Sequence, residues 1–211
     1  MKIIRIAAFL FLTAIASAGV PKKADQAVPL APGEPVPEVT LRDVDGKAYP
    51  LRERLAGQPA VLIFYRGSWC PYCNRHLAAL EEIEADLQSL GYRVVAISPD
   101  KPEGLKEAIA KNDLGYTLLS DSGAETIRAF GLAFEVGTAT RTLYKGYGID
   151  LAKAAGDDHH LLPVPAVYLV DAKGILRYRY FNPNYKERLD PKSLLEEARR
   201  HVLTGQQTNG S

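Results

Sequence analysis

Cys70-Pro71-Tyr72-Cys73 carries both cysteines of this 211-residue chain. The pair follows the apolar run Ala60-Val61-Leu62-Ile63-Phe64-Tyr65 and precedes a helical pattern of leucines. A strand, a short turn and a C-x-x-C pair opening a helix form the layout of a thiol–disulfide redox site. Two thiols at this spacing can close a small disulfide ring. The positive end of the helix and its unpaired N–H groups favour a thiolate on the first sulfur. Cys70, at an exposed helix start, is therefore expected to attack, and Cys73, one turn further in, to resolve.

Other uses of two cysteines fit less well. A structural disulfide across so short a loop removes little unfolded-state entropy. A structural zinc site takes four ligands, usually from two such pairs. A c-type haem needs His directly after the second Cys, where Asn74 stands. No resident metal or other cofactor is expected. One alternative of a different class is a copper-binding protein, because soft thiolates suit Cu(I). It requires His159 or His160 to fold back beside Cys70 and Cys73.

The neighbouring residues have candidate roles as well. Trp69 can shield the sulfur from water and offer a platform to a partner. Pro71 and Tyr72, lying between the sulfurs, tune the redox potential. Arg66 can hold the charge of the thiolate. His76 reads as a half-buried helix residue.

Several elements must position this site. A hairpin is expected from Val39 to Leu51, turning at Asp45-Gly46, followed by a short helical turn over Arg52 to Ala56. Ala60 to Tyr65 and Tyr92 to Ser98 read as buried central strands. Leu77, Leu80, Ile83, Leu87 and Leu90 predict one helix from Tyr72 to Gly91. A helix over Pro102 to Asn112, opened by Asp100, leads to a short strand at Thr117 to Leu119. Ser120-Asp121-Ser122 then caps a helix running to about Phe130. Ala166 to Val170 and Ile175 to Phe181 pair through Asp171-Ala172-Lys173-Gly174. Asp190-Pro191 starts a last helix on Leu194, Leu195, Ala198 and Val202. This alternation predicts an α/β sandwich with a mixed central sheet and an N-terminal β-hairpin. The stretch from Ala133 to Leu162 reads as an irregular insertion near the cysteines.

The chain ends divide by composition. Lys2 and Arg5, the uncharged run Ile6 to Ala18 and the closing Ala16-Ser17-Ala18 have the pattern of a cleavable secretory signal over residues 1–18. Residues 19–38 are proline-rich and predict an extended linker, 39–203 form the domain, and 204–211 form a fraying tail. The 26 basic and 25 acidic residues nearly balance, and loss of the signal leaves a net charge of about −1. That balance argues against nucleic acid or an anionic membrane as partner. Export would place the protein in the periplasm of a Gram-negative host, or otherwise outside the cell. An exported chain with one cysteine pair keeps that pair for chemistry rather than for a disulfide framework.

Val164-Pro165 before the strand Ala166 to Val170 resembles the thioredoxin fold, a three-layer α/β/α sandwich. There a cis-proline faces the C-x-x-C, which makes Pro165 the candidate. A closer resemblance is to peroxiredoxin-like members of the alkyl hydroperoxide reductase/thiol-specific antioxidant (AhpC/TSA) family. It rests on Phe64-Tyr65-Arg66-Gly67-Ser68-Trp69-Cys70-Pro71-Tyr72-Cys73 and on Leu162-Pro163-Val164-Pro165-Ala166 leading into Val170-Asp171-Ala172-Lys173-Gly174. The similarity spans roughly Pro35 to His201 and implies an antioxidant oxidoreductase.

Three positions depart from the relatives. Peroxiredoxins carry a Thr three residues before the attacking Cys, where this chain has Gly67. They place an Arg where Pro165 stands; Arg66, Arg75 or Arg141 would have to substitute. Thioredoxins bury an acid six residues before the first Cys, where Phe64 stands. The absent Thr and Arg favour thiol–disulfide exchange with protein partners as the main expectation. The alternative is a thiol peroxidase with Cys70 peroxidatic and Cys73 resolving. Both cycles end in a Cys70–Cys73 disulfide and need a thioredoxin-like or other dithiol reductant.

Overall fold

Strand β3 (Ala60–Phe64) is buried along its whole length, and its side chains divide with the period of two expected of a strand. Val61 and Ile63, with the following Tyr65, enter one apolar core, while Ala60, Leu62 and Phe64 enter another. A strand covered on both faces must be apolar at every position, and this is why the run is continuous. The computed structural model describes residues 19–55 and 57–208. The proposed signal segment 1–18 lies outside them.

Before β3 come the expected hairpin, β1 (Thr40–Arg42) and β2 (Ala48–Pro50), and helix α1 (Leu51–Leu55). After it follow α2 (Pro71–Glu81), α3 (Glu84–Ser89), β4 (Arg93–Ser98), α4 (Pro102–Asn112), β5 (Thr117–Ser120) and α5 (Glu125–Ala129). The chain continues through β6 (Ala133–Glu135), α6 (Thr138–Gly146), α7 (Leu151–Ala155) and β7 (Leu161–Pro163). It closes with β8 (Ala166–Val170), β9 (Leu176–Phe181) and α8 (Pro191–Thr208).

The sheet order is β2-β1-β5-β4-β3-β8-β9. β3, β4 and β5 run parallel, and β8 is antiparallel to β3 with Phe64 opposite Ala166. The core on one face takes Leu77 and Leu80 of α2, Leu87 of α3, Leu105 of α4 and Leu194 of α8. The other face is covered by Leu51 and Leu55 of α1, Ile127 of α5 and Val36 of the N-terminal segment. This is the expected three-layer α/β/α sandwich with a mixed sheet.

Several expectations need correction. The single helix from Tyr72 to Gly91 is two, broken at Glu82 and Ile83. Glu81, Glu82 and Glu84 crowd that turn, and like charges at this spacing oppose a continuous helix. Glu81 also accepts a hydrogen bond from Gly115 N at 2.9 Å. The stretch from Ala133 to Leu162 is ordered rather than irregular: β6 and β7 pair antiparallel and enclose α6 and α7. Helix α8 runs on to Thr208, through most of the segment expected to fray.

The proline-rich segment 19–38 is extended but docked. Leu30 N donates to Phe130 O at 3.0 Å, Val36 N to Gly174 O at 2.8 Å, and Pro35 bridges Ile175. Gly131 (φ +67°) makes this docking possible, because a Cβ there would collide with the Val28 carbonyl. No proline in the segment can donate through its own nitrogen, so Leu30, Gly33 and Val36 supply the N–H donors.

Burial predicts unequal costs for two similar leucines. Leu77→Ala, at a fully buried site, should lower stability by about 2–5 kcal/mol in denaturant unfolding. Leu203→Ala, at a residue 64% exposed, should change it by less than about 0.5 kcal/mol.

Candidate active site

The loop between β3 and α2 is held from below by Asp100, which follows β4. Its Oδ2 accepts from Ser68 N at 2.6 Å and from Ser98 Oγ at 3.3 Å. Burial pushes the Asp100 carboxyl up to about 6, with the Ser68 and Ser98 hydrogen bonds opposing. Asp100 was expected only to open α4. Instead Lys101 sits at that N-cap without a side-chain bond, and Asp100 anchors the cysteine loop. Asn74 ties the same loop from above, donating from Nδ2 to Ser68 O at 2.8 Å.

Gly67 stands in this loop at φ +149°. A Cβ there would lie 2.8 Å from Asp100 Oδ1 and collide with the Trp69 ring. The space that a Thr would occupy is already filled by Trp69, so the departure at Gly67 is built into the packing.

Cys70 is the N-cap of α2, and Pro71 takes the first helical position, where its missing N–H costs nothing. Cys73 N and Asn74 N both donate to the Cys70 carbonyl, at 3.0 and 3.1 Å. Cys70 was expected to be exposed, but only 1% of it is accessible. Covering comes from segments far away in sequence. Tyr144 on α6 stacks tilted on Trp69 with 5.8 Å between ring centres, and Tyr185 meets Tyr72 edge-on at 5.7 Å.

Arg66 is the centre of this cover and is itself 4% exposed. Its Nη1 lies 3.9 Å from Cys70 Sγ, and its Nη2 donates to the Tyr144 hydroxyl. The guanidinium carbon sits 4.1 Å from the centre of Tyr185, 5.0 Å from Trp69 and 5.6 Å from Tyr144. Such cation–π contacts are worth about 2 kcal/mol each when desolvated. Arg66 Nε is buried and has no hydrogen-bond partner among the described residues.

The two thiols are electrostatically unequal. A hydrogen bond from Cys73 lowers the Cys70 thiol to about 6; burial opposes this, and the charge of Arg66 adds to the lowering. Burial pushes the Cys73 thiol up, and the neighbouring Cys70 pushes it further the same way. At neutral pH Cys70 is thus the thiolate and Cys73 the thiol that donates to it.

Of the other candidates, Pro71 is exposed and Tyr72 half-buried. Pro165 is buried at the sheet end shared with Phe64, and its carbonyl accepts from Asn182 N at 3.2 Å. Its peptide bond is trans, as are all those among the described residues, contrary to the expected cis form. Arg75 stacks on Tyr72 and Arg141 bonds Thr138, whereas Arg66 is the one of the three candidate arginines shown at the Cys70 sulfur. His76 is more buried than expected and bonds the Leu189 carbonyl at 3.1 Å.

The copper alternative fails on geometry. His159 Nδ1 accepts from Leu161 N at 2.9 Å, and Nε2 faces Ser122 O at 3.0 Å. Among the described residues no group of three or more His, Cys, Asp or Glu converges.

Sequence reasoning missed Tyr144, Tyr185, Asp100 and Arg188, whose Nη2 lies 3.6 Å from Cys73 Sγ. Arg188 stands 115 positions from Cys73 in a polar loop, so no local pattern marks it.

The AhpC/TSA family profile matches residues 32–179. Peroxiredoxin Q of Oryza sativa subsp. japonica, a chloroplastic protein, is 29% identical over 150 residues, covering 71% of this chain and 58% of its own length. A putative peroxiredoxin bcp of Haemophilus influenzae is 33% identical over 104 residues, covering 49% of this chain and 66% of that protein. This chain thus spans less than two thirds of the rice relative. Among solved structures, peroxidoxin BcpB of Mycobacterium tuberculosis superposes with TM-score 0.63 at 17% identity, over 83% of this chain and 97% of that one. Reduced Prx3 of Vibrio vulnificus, in complex with hydrogen peroxide, superposes with TM-score 0.66 at 19% identity, over 80% of this chain and 99% of that one. At these identities the superpositions establish a shared fold.

Thiolate absorbance should titrate with a midpoint of about 6 in the unaltered protein. Cys73→Ala removes the hydrogen-bond donor and should move the Cys70 midpoint upward, lowering the ionised fraction at pH 7. Cys73→Ser keeps an O–H donor and should move it less. A midpoint unchanged by Cys73→Ala would show that the second thiol does not stabilise the first.

Proposed function

The chain belongs to the AhpC/TSA family, and we propose that it is a thiol peroxidase in which Cys70 is peroxidatic and Cys73 resolving. The observation that carries this reading is a Cys70 sulfur buried to 1% exposure with a nitrogen of the buried Arg66 guanidinium 3.9 Å away. Thiol–disulfide exchange with a protein partner, the sequence's first reading, would begin at the same sulfur. The peroxiredoxin relatives also favour the peroxidase.

The chemistry follows from the groups present. The Cys70 thiolate attacks the terminal peroxide oxygen, the O–O bond breaks, and the departing alkoxide takes a proton to become an alcohol, or water from hydrogen peroxide. Cys70 is left as a sulfenic acid. Arg66 supplies the cation that the Pro165 position does not. Its Nη1 lies 3.9 Å from the Cys70 sulfur, and stabilising the charge that builds on the peroxide oxygen lowers the barrier. Cys73 then displaces water from the sulfenic acid to form the Cys70–Cys73 disulfide. Two electrons from a thioredoxin-like or other dithiol reductant restore the pair.

Export belongs to the same proposal and rests on the sequence pattern of residues 1–18. If it is right, N-terminal sequencing of the secreted protein should begin at Gly19.

Trp69 is the only tryptophan and touches the reacting centre, so its fluorescence reports oxidation. Mixing reduced protein with hydrogen peroxide in stopped flow should give a phase far faster than a free thiol provides, absent in Cys70→Ser. Arg66→Gln should slow that phase on the order of a hundred-fold. A wild-type rate equal to that of a free thiol would sink the peroxidase reading.

A further inference from the structure

Disulfide closure requires Cys73 to act as a nucleophile, and the thiolate rather than the thiol is the nucleophile. Yet Cys73 is fully buried, and burial pushes its thiol well up. Thioredoxins meet this need with a buried acid, whose place here is taken by Phe64.

The groups facing Cys73 offer no strong base. On its own helix are Cys70 and His76. His76 is pushed down to about 4, chiefly by burial and then by Arg188, so it is neutral and weakly basic at working pH. Its Nε2 is engaged by the Leu189 carbonyl. From the end of β3 come Tyr65, a fully buried phenol pushed up by burial and by Asp100, and Arg66. The remaining group is Arg188, from the loop between β9 and α8, with Nη2 at 3.6 Å from Cys73 Sγ.

We infer that Arg188 is a catalytic residue for disulfide closure, holding the Cys73 sulfur as a thiolate while it attacks oxidised Cys70. This rests on the peroxidase reading for the oxidant but not for the pairing of Arg188 with Cys73. The site then has two cations, one per sulfur: Arg66 serves Cys70 in the first step and Arg188 serves Cys73 in the second.

The loop is built to keep the guanidinium in place. Arg188 Nη1 donates to Glu187 O at 2.9 Å. The Glu187 carboxylate accepts from Asn182 Nδ2 at 2.9 Å and Asn184 Nδ2 at 2.8 Å. On the other side, Leu189 is tied to His76 of α2. The cation is half-buried, so its attraction for the sulfur is screened less than at an open surface.

The step balances. Sulfenic acid forms when hydroperoxide oxidises Cys70 by two electrons. The Cys73 thiolate attacks the Cys70 sulfur, the S–O bond breaks, and the S–S bond forms. The hydroxide leaving Cys70 takes up the proton released by Cys73, giving water. Arg188 is unchanged.

Two measurements on the full chain test this. In peroxide stopped flow, a second phase of Trp69 fluorescence, absent in Cys73→Ser, should report closure. Arg188→Gln should slow it at least about ten-fold at pH 7, as loss of an opposite charge shifts such a group by about one unit or more. The deficit should shrink as pH rises, because alkali ionises Cys73 without help. Arg188→Lys should recover most of the rate. A second phase unaffected by Arg188→Gln, or slowed equally at every pH as a mere distortion would do, overturns the inference.

The second measurement needs no peroxide. In Cys70→Ser protein, thiolate absorbance titrates Cys73 alone, and adding Arg188→Gln should raise its midpoint by about one unit. An unchanged midpoint overturns the role of Arg188 even if the protein proves not to be a peroxidase. Conversely, a shifted midpoint without a fast first phase sinks the peroxidase reading and leaves the pairing standing.

Discussion

A guanidinium buried against a thiolate is the constraint on which the rest of this structure depends. Arg66 is 4% exposed, and a charge removed from water is tolerated only when other groups replace its hydration. Here they come from three separate segments: Trp69 and the Cys70 sulfur at the start of α2, Tyr144 on α6 and Tyr185 after β9. The segment enclosed by β6 and β7 is therefore part of the active site, because without its tyrosine the cation loses both a hydrogen bond and a ring.

The same packing explains why the loop departs from its relatives. Gly67 leaves room for Trp69 to lie across the loop and against Asp100. Trp69 then completes the cage on Arg66. A threonine in place of Gly67 and this tryptophan position compete for one volume, and packed interiors have no spare volume to share. Where the relatives place a hydroxyl, this chain sets Trp69 against the Arg66 guanidinium. Asp100 and Asn74 hold the loop's backbone while this exchange of side chains takes place above it.

The two sulfurs illustrate how burial and charge divide labour between identical side chains. Both are inside the protein, yet one thiol is lowered and the other raised. Burial raises Cys73 most, and the hydrogen bond it donates to Cys70 adds to that rise while lowering Cys70. Such a pair holds two identical side chains in opposite electrostatic settings three positions apart.

Much of this was legible in the sequence. The C-x-x-C pair, the doubly apolar strand Ala60–Phe64, the parallel strands beside it and the β8–β9 hairpin all follow from spacing and periodicity, which are local properties. Arg66 was visible as a candidate because it lies four residues from Cys70. The break after Glu81, the docking of residues 19–38 and the trans bond at Pro165 were not. Nor were the burial of Cys70 or the arrival of Tyr144, Asp100, Tyr185 and Arg188. Each of these depends on one segment packing over another: Tyr144 reaches Arg66 across 78 positions, and Arg188 reaches Cys73 across 115. A tyrosine or arginine in a polar stretch reads as a solvated residue until the fold closes over it. The sequence by itself determined which atoms could do chemistry, since reactivity begins with residue type and local spacing. Only the tertiary structure decided their charge and access, because burial and distant cations are set by what packs against the site.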